Sequence, residues 1–542
     1  MNSLNDTTTQ RLAIKISALL ANEKYQQALD TANHALDMHP QSAVLCDLAG
    51  VCASKLGYVT QAEQHHRNAL LLDQTATAIR LNLANLLAGS SRDEDKEEAK
   101  ALFLEIIQAE PSHLQALNNL GILLFQTGYV SAAHTVYAAL VTHHPDEVTA
   151  HVNFGHVLLS LDNLSLAQIH FHIALSFNPD LPEAHQGLAS VFHRLHDEDK
   201  ACFHRKRGFS AQPISRLSYG GPTKPVPLLI LASAQEGNIP WRFLIDRNVF
   251  ETTIIAVEYF DNVTPLPAHA LVFNAIGDAD LCHDGLKRAQ HLLESSHASI
   301  INQPATVLKT GRMANAMQRQ TVPGVIFPRM VLFSKLNTET ALVPEVLAQA
   351  HIHFPFLLRT PGFHGGNHFL PVKNHHALHA AMAALPGENL LAIEFLDSQS
   401  KDGLFRKYRV MSINGHLYPI HMAISTQWKV HYFSSDMANS PAYRHEESLF
   451  LNNFSTYFGP GALTSLQQIS RSIGLDFCGM DFGFDANGHI LLYEANATMA
   501  INPPSADAQW DYKREAIENA LTATKKMFLK RATVSVFRPI SL

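Results

Sequence analysis

The chain has 542 residues, 46% of them hydrophobic and 16% charged, with a formal net charge of −7 and an isoelectric point near 6.5. That length exceeds what one core supports, so several folded units are expected, and the acidic balance argues against nucleic acid as the main partner. Five cysteines with no Cys-x-x-Cys pair predict neither a disulfide framework nor a zinc site and fit a reducing cytoplasm.

The start, Met1 to Thr9, is polar and predicts no signal peptide, and no apolar run reaches membrane-spanning length. Internal repetition follows. Pro111, Pro145, Pro179 and Pro213 recur at intervals of 34, and the same frame carries Ala99, Ala133, Ala167 and Ala201. Phe103, Tyr137 and Phe171 stand four residues after the alanines, while Gly121 and Gly155 supply small residues at which paired helices approach. The pattern resembles tetratricopeptide repeats, which implies helical hairpins, each closed by a Pro that cannot continue the second helix. Earlier units fit with Ala28 and Pro40, then Gly50, Ala62 and Ala69, where Gln74 replaces the expected Pro. From Pro40 to Pro111 is 71 residues, three more than two repeats, and the charged stretch Ser90 to Glu98 is expected to take up the excess. About six repeats over residues 9–213 would form an all-α solenoid. Its groove suits a peptide or protein partner, with plain scaffolding as the equal alternative. His204-Arg-Lys-Arg207 reads as a solvated basic cluster.

Residues 214–227, rich in Gly and Pro, read as a linker. Beyond them Leu228 to Ala232, Thr253 to Val257, Ala270 to Phe273 and Ser299 to Ile301 are short apolar strands between helical patterns, predicting a parallel sheet in an α/β domain over 228–325. Lys309 and Arg312 follow. Phe354 to Phe369 reads as a strand, a glycine-containing loop and a second strand, with Gly365-Gly366 open to close approach by phosphate oxygens. His351, His353, His364 and His368 lie nearby without carboxylate or Cys partners and read as surface groups or as groups behind a site, with contact of one of them to phosphate as the lesser alternative. Asn389 to Asp397 is an apolar strand ending in Glu394-Phe395-Leu396. Asn414-Gly415 predicts a hairpin whose first strand puts Phe405, Lys407 and Arg409 on one face and Tyr408 and Val410 on the other.

The last motif runs from Gly479 to Asn496. A two-residue turn at Asn487-Gly488 pairs Ala486 with His489, sets Asp481 opposite Glu494 and leaves Asn496 on the face of Glu494. Two facing acids repel, so a hard cation such as magnesium is expected between them and bound phosphate.

Asp, a hairpin, then Glu-x-Asn is similar to the closing motif of the ATP-grasp superfamily, which includes D-alanine-D-alanine ligase and glutathione synthetase. The resemblance spans roughly residues 225–530. It implies a multidomain chain, in which the solenoid precedes an α/β pre-ATP-grasp domain (228–325) and an α+β ATP-grasp domain (326–530). By that match Asp481, Glu494 and Asn496 are magnesium ligands, with Glu494 bridging two ions. Arg359 takes the place of the usual phosphate-contacting Lys, and Gly365 and Gly366 belong to the loop closing over the triphosphate. Glu394, Phe395 and Leu396 line the adenine, Asp397 or Asp402 meets the ribose, and Arg312, with Lys309 as alternative, is a further nucleotide-binding cation. Arg409 stabilises charge on the transferred phosphoryl group, and His421 stands near a place where the family often has a second cation. The implied function is ATP- and magnesium-dependent carboxylate-amine ligation through an acyl phosphate, on small-molecule or peptide substrates. The alternative is a repeat-based interaction protein that binds nucleotide without turnover. Neither a membrane nor a nucleic-acid partner is expected.

Overall fold

The computed structural model describes residues 2–536 apart from 91, 222, 262, 315–321, 336–341, 362–367, 433–434 and 506. The chain divides into two compact units, one comprising the residues up to Gln212 with 217–225 and 247–251, the other the remainder. Among the described residues no helix is long and apolar enough to cross a membrane.

Twelve helices make up the first unit as six hairpins: α1 (Asn2–Ala21) with α2 (Tyr25–Met38), α3 (Ala43–Lys55) with α4 (Val59–Leu72), α5 (Thr77–Ala88) with α6 (Asp93–Ala109), α7 (Leu114–Gln126) with α8 (Val130–His143), α9 (Val148–Ser160) with α10 (Leu164–Phe177), and α11 (Pro182–Arg194) with α12 (Glu198–Phe209). The N-terminal region is thus an all-α helical repeat of tetratricopeptide type. Helix α6 has 17 residues where α4, α8 and α10 have 14, which locates the three extra residues of the third repeat. The repeating alanines are fully buried, and Phe103, Tyr137 and Phe171 are at most 1% exposed. Each such aromatic contributes roughly 2–3 kcal/mol. The small residues are sterically required: a Cβ on Gly155 would lie 2.6 Å from the Phe171 ring.

Polar side chains join successive hairpins. Asn119 donates to Asn85 at 2.7 Å, and Asn82 donates to Asp47 at 2.9 Å. Two histidine pairs recur one repeat apart: His151 Nδ1 lies 2.9 Å from His170 Nδ1, and His185 Nδ1 lies 2.8 Å from His204 Nδ1. The Nε2 atoms of His151 and His185 meet the carbonyls of Pro145 and Pro179, each at 3.0 Å. The cluster His204 to Arg207 is not the solvated face expected of it. On α12 the helical period places His204 and Arg205 with Ala201 and Gly208 on the buried side, and Arg205 pairs with Glu198 at 3.0 Å. Lys206 and Arg207 alone of the four are exposed.

The C-terminal region is mixed α/β, its described strands forming three sheets. The first contains β1 (Ile214–Leu217), β2 (Val226–Ala232), β3 (Phe250–Ala256), β4 (Leu271–Asn274) and β5 (Ser299–Ile301) in the order β1-β3-β2-β4-β5, with β2, β4 and β5 parallel. Part of the expected linker is therefore strand, since Pro213 O accepts from Ala256 N at 2.9 Å and leads β1 onto the sheet edge. The second sheet is antiparallel: β7 (Met330–Ser334), β8 (Phe356–Arg359), β9 (Phe369–Val372) and β10 (Asn389–Glu394), in the order β7-β10-β8-β9. The third has the order β12-β11-β13-β14-β6, from β6 (Val325–Ile326), β11 (Phe405–Ile413), β12 (His416–Ser425), β13 (Phe477–Phe484) and β14 (Ile490–Asn496).

Both hairpins of this third sheet carry Asn-Gly, yet they turn differently. Asn414 and Gly415 have φ of 50° and 79°, a two-residue turn that pairs Ile413 with His416. At Asn487-Gly488 the two-residue turn is replaced by a longer loop. The Asp485 carboxylate accepts from Asn487 N at 2.9 Å and His489 N at 2.8 Å, Asp485 N donates to His489 O at 3.0 Å, and Gly488 alone is left-handed at 84°. Phe484 then pairs with Ile490 and Phe482 with Leu492, one residue out of the expected register. A bulge at Tyr493 restores it, so Asp481 still faces Glu494.

Candidate functional site

A cavity of about 240 Å³ lies between the second and third sheets. Arg359 ends β8, Lys407 and Arg409 come from β11, and Asp481 and Glu494 from β13 and β14. Phe405 lines it beside Lys407 and Arg409, while Tyr408 turns the other way into an aromatic cluster with Phe450, Phe458 and Phe482. Glu394, Phe395 and Leu396 line the opposite wall.

The facing acids are balanced by the protein's own cations, which departs from the expectation that they need an added ion. Arg409 forks onto Asp481 at 2.7 and 2.8 Å, and Lys407 adds a contact at 3.2 Å. Asp481 is 4% exposed. Burial opposes its ionisation, but Arg409 and then Lys407 outweigh it and hold the carboxyl well below the usual carboxylate range. Arg312 takes Glu494 at 2.5 Å, and Asn496 Nδ2 donates to the same carboxylate at 2.8 Å. Asn496 Oδ1 accepts from Thr498 N at 3.0 Å.

As a donor set, two carboxylates and an amide oxygen suit a hard divalent ion and supply no soft ligand. Among the described residues no group of three or more His, Cys, Asp or Glu stands in ligating arrangement. An ion at this site would therefore complete its shell with phosphate or water oxygens.

Arg359 is 8% exposed and its guanidinium stands 5.7 Å from the Phe369 ring centroid. Burial, then Arg312, bring its pKa down to about 10, with Glu494, Asp278 and Asp280 acting the other way. Glu394 turns its carboxylate to Arg329, which donates from Nε at 2.9 Å. Of the expected residues, Asp397, Asp402, Lys309 and Asn496 are not among those that line the cavity. Asp402 is held by Arg406 at 2.7 and 3.1 Å, and Arg406 alternates with Lys407 along β11, so Asp402 is drawn to the other face. Lys309, in the turn Leu308–Thr310, is not part of the lining, whereas Arg312 is. Gly365 and Gly366 lie outside the described residues. His421, opposite Arg409, is no second cation: burial, then Arg409 and Lys513, keep it well below the usual histidine range. Among the described residues its Nε2 has no partner.

Four contributors carry no signal in the sequence. Trp428 lies in the segment after β12 and meets Phe369 and Phe395 at 5.7 and 6.0 Å between ring centroids, giving the cavity an aromatic wall. Lys429 and His431 line it from the same segment. Behind β12, Glu447 is fully buried and accepts from Lys513 at 2.8 Å, Tyr512 at 2.5 Å and Met422 N at 3.1 Å. That network backs the strand facing Arg409. Periodicity signals none of these, because a lone Trp in a connection and a Glu inside an amphipathic helix both read as ordinary surface.

No protein family profile matches the chain. No curated protein matches it either. Solved repeat proteins match its N-terminal helical region. The Pseudomonas aeruginosa pilF protein is 16% identical over 39% of this chain and 94% of its own, with a TM-score of 0.35. PilW, a type IV pilus biogenesis factor, is 17% identical over 38% and 93%, with a TM-score of 0.34. YrrB, a TPR protein with an unusual peptide-binding site, is 19% identical over 34% and 92%, with a TM-score of 0.30.

Proposed function

We propose that the chain is an ATP- and magnesium-dependent ligase of the ATP-grasp kind, joining a carboxylate to an amine, with the helical repeats capturing a peptide or protein substrate. One observation carries the reading. Five cations (Arg312, Arg359, Lys407, Arg409 and Lys429), the facing acids Asp481 and Glu494, and an aromatic wall with Trp428 line a single cavity. Apolar rings beside converging cations suit a base joined to a polyphosphate.

Arg312 and Arg359 neutralise the triphosphate. An oxygen of the substrate carboxylate attacks the γ-phosphorus, and the bond to ADP breaks with its electron pair on ADP. Arg409 stabilises the charge gathering on the transferred group. The amine nitrogen then forms the carbon-nitrogen bond, phosphate leaves with the carbon-oxygen electron pair, and the nitrogen gives up a proton. Magnesium, held by Asp481, Glu494 and Asn496, would supply charge neutralisation and alignment of the phosphates. With Asp481 as a ligand, Arg409 and Lys407 would be free to meet phosphate oxygens.

The rival reading, an interaction protein that binds nucleotide without turnover, is favoured by the saturation of both Asp481 oxygens by Arg409 and Lys407. Calorimetric titration of ATP with and without magnesium, on wild type and Asp481→Asn/Glu494→Gln, tests the site. Magnesium-dependent binding that disappears in the double variant supports it, and no binding by wild type defeats both readings. ADP formation with acid and amine panels then separates ligase from sensor.

A further inference from the structure

A second cavity, of about 500 Å³, adjoins the first across Arg312, Glu494 and Arg359, which line both. The two differ in the sign of their charge. In the first, Lys407, Arg409 and Lys429 add to the shared arginines and outnumber the acids. In the second, Asp278, Asp280 and Glu388 add to the shared Glu494 and outnumber the same two arginines. Field lines in a walled cleft focus accordingly, drawing polyphosphate to one side of Glu494 and a cation to the other. The volume falls within the range of about 300–1,000 Å³ usual for small-molecule sites.

The two aspartates are fixed in place by backbone groups. They stand on the loop leaving β4, anchored where Gly277 N and Asp278 N both donate to Gly237 O at 3.0 Å. Asp278 Oδ1 accepts from Asp280 N at 2.8 Å and Leu281 N at 2.9 Å, and Asp280 Oδ2 accepts from Arg312 N at 3.0 Å. A Cβ on Gly311 would lie 2.5 Å from Asp280 Oδ1, so a side chain there would push the Asp280 carboxylate from this position. The loop of the first sheet is thereby joined through backbone to Arg312, whose side chain reaches Glu494. A group bound by Asp278 and Asp280 is thus held beside the wall that separates it from the nucleotide cavity.

We infer that this second cavity receives the amine substrate as its α-ammonium ion, which is bound by Asp278 and Asp280 and gives one proton to water before the nitrogen attacks and a second after the bond forms, the source being either a free amino acid or the N-terminus of a short peptide. The assignment rests on the ligase reading and specifies which side of Glu494 the amine occupies. The test uses the full chain saturated with a non-hydrolysable ATP analogue and magnesium. The twenty L-amino acids, a matching set of tripeptides and their N-acetylated forms are titrated calorimetrically into wild type, Asp280→Asn and Asp278→Asn/Asp280→Asn. Asn keeps an oxygen for the N–H groups that Asp278 satisfies, so the loop is retained while the charge is lost. Expected are binding of at least one amine in wild type, at least tenfold weaker binding of its acetylated form, and at least a tenfold loss in the double variant. Analogue affinity should change less than twofold. Preference for the amino acid or the tripeptide identifies the source. The inference is overturned by unchanged amine affinity in the double variant, by equal binding of the acetylated form, or by a wild type that binds analogue and no amine. A wild type that fails to bind the analogue instead refutes the underlying ligase reading.

Discussion

The paired histidines of the solenoid make its stability fall steeply in mild acid. In each pair one Nε2–H donates to a proline carbonyl, so the neutral ring presents a bare Nδ1 to the Nδ1–H of its partner. A first proton, taken at Nε2 of His170 or His204, charges a ring that burial disfavours charging, and a second proton in the same pair would set two N–H groups against each other. Burial, then the neighbouring His151, lowers His170 to about 4, and burial, then His185, His172 and Arg207, lowers His204 to about 4. The unfolded chain binds these protons near pH 6.5. The native state therefore keeps the full benefit of neutral pairs above about pH 6.5 and loses it as the pH falls toward 4. At pH 5 each of the two histidines costs about 2 kcal/mol relative to pH 7.5, together about 4 kcal/mol. One repeat earlier the same positions hold Leu117 and Val136, which supply a natural replacement. Urea unfolding of the full chain, followed by far-UV circular dichroism at pH 7.5 and 5, would compare wild type with His151→Leu/His170→Val and with the same change at His185 and His204. Each replacement should reduce the acid-induced loss by about 2 kcal/mol, with other histidines cancelling between variants. If the fully replaced chain loses as much stability between the two pH values as wild type, the pairs accept protons without breaking and the reasoning fails.

Gly155→Ala should cost about 1–3 kcal/mol by forcing the Phe171 ring aside, read as a lower urea midpoint. A midpoint that does not move would show that α9 and α10 separate freely. Lys513→Met leaves the fully buried Glu447 without its cation and should cost about 3–5 kcal/mol, whereas Lys513→Met/Glu447→Leu should recover most of that loss. Failure of the second change to rescue would deny that the penalty is an unpaired charge. ATP with magnesium should quench tryptophan emission in wild type and in Trp241→Phe but not in Trp428→Phe, and quenching that survives in the last would place the base elsewhere. Arg409→Lys keeps one charge but loses the fork, so under the ligase reading it should lower kcat by about tenfold or more with a smaller change in KM. A change confined to KM would assign Arg409 to binding alone.

What could be read from the chain follows the range of each interaction. The helical hairpins declare themselves because the same steric demand, a small residue under a ring, returns every 34 residues. The facing of Asp481 and Glu494 is a local property of one hairpin, yet the turn beneath it was misread because the Asp485 side chain competes for the turn's N–H groups. Arg312 meets Glu494 across 182 residues of sequence, and no spacing rule foretells that contact or the capture of Asp481 by Arg409. Trp428 was missed for a related reason: its value to the cavity arises only where the segment after β12 passes Phe369 and Phe395.

The hairpin that carries the two acids contains two irregularities that cancel. Its loop is one residue longer than the tightest turn, and β14 holds one extra residue at Tyr493. Each can be lost by itself: without Tyr493 the Phe482–Leu492 and Asp481–Glu494 pairs become consecutive, and with one loop residue fewer the Asp485–His489 pair closes on a two-residue turn, so Glu494 still faces Asp481. Lineages of this sequence should therefore accept a single-residue loss at the loop tip or at the bulge, whereas a loss within β13 between Phe482 and Phe484 should reverse the faces beyond it and part the two acids.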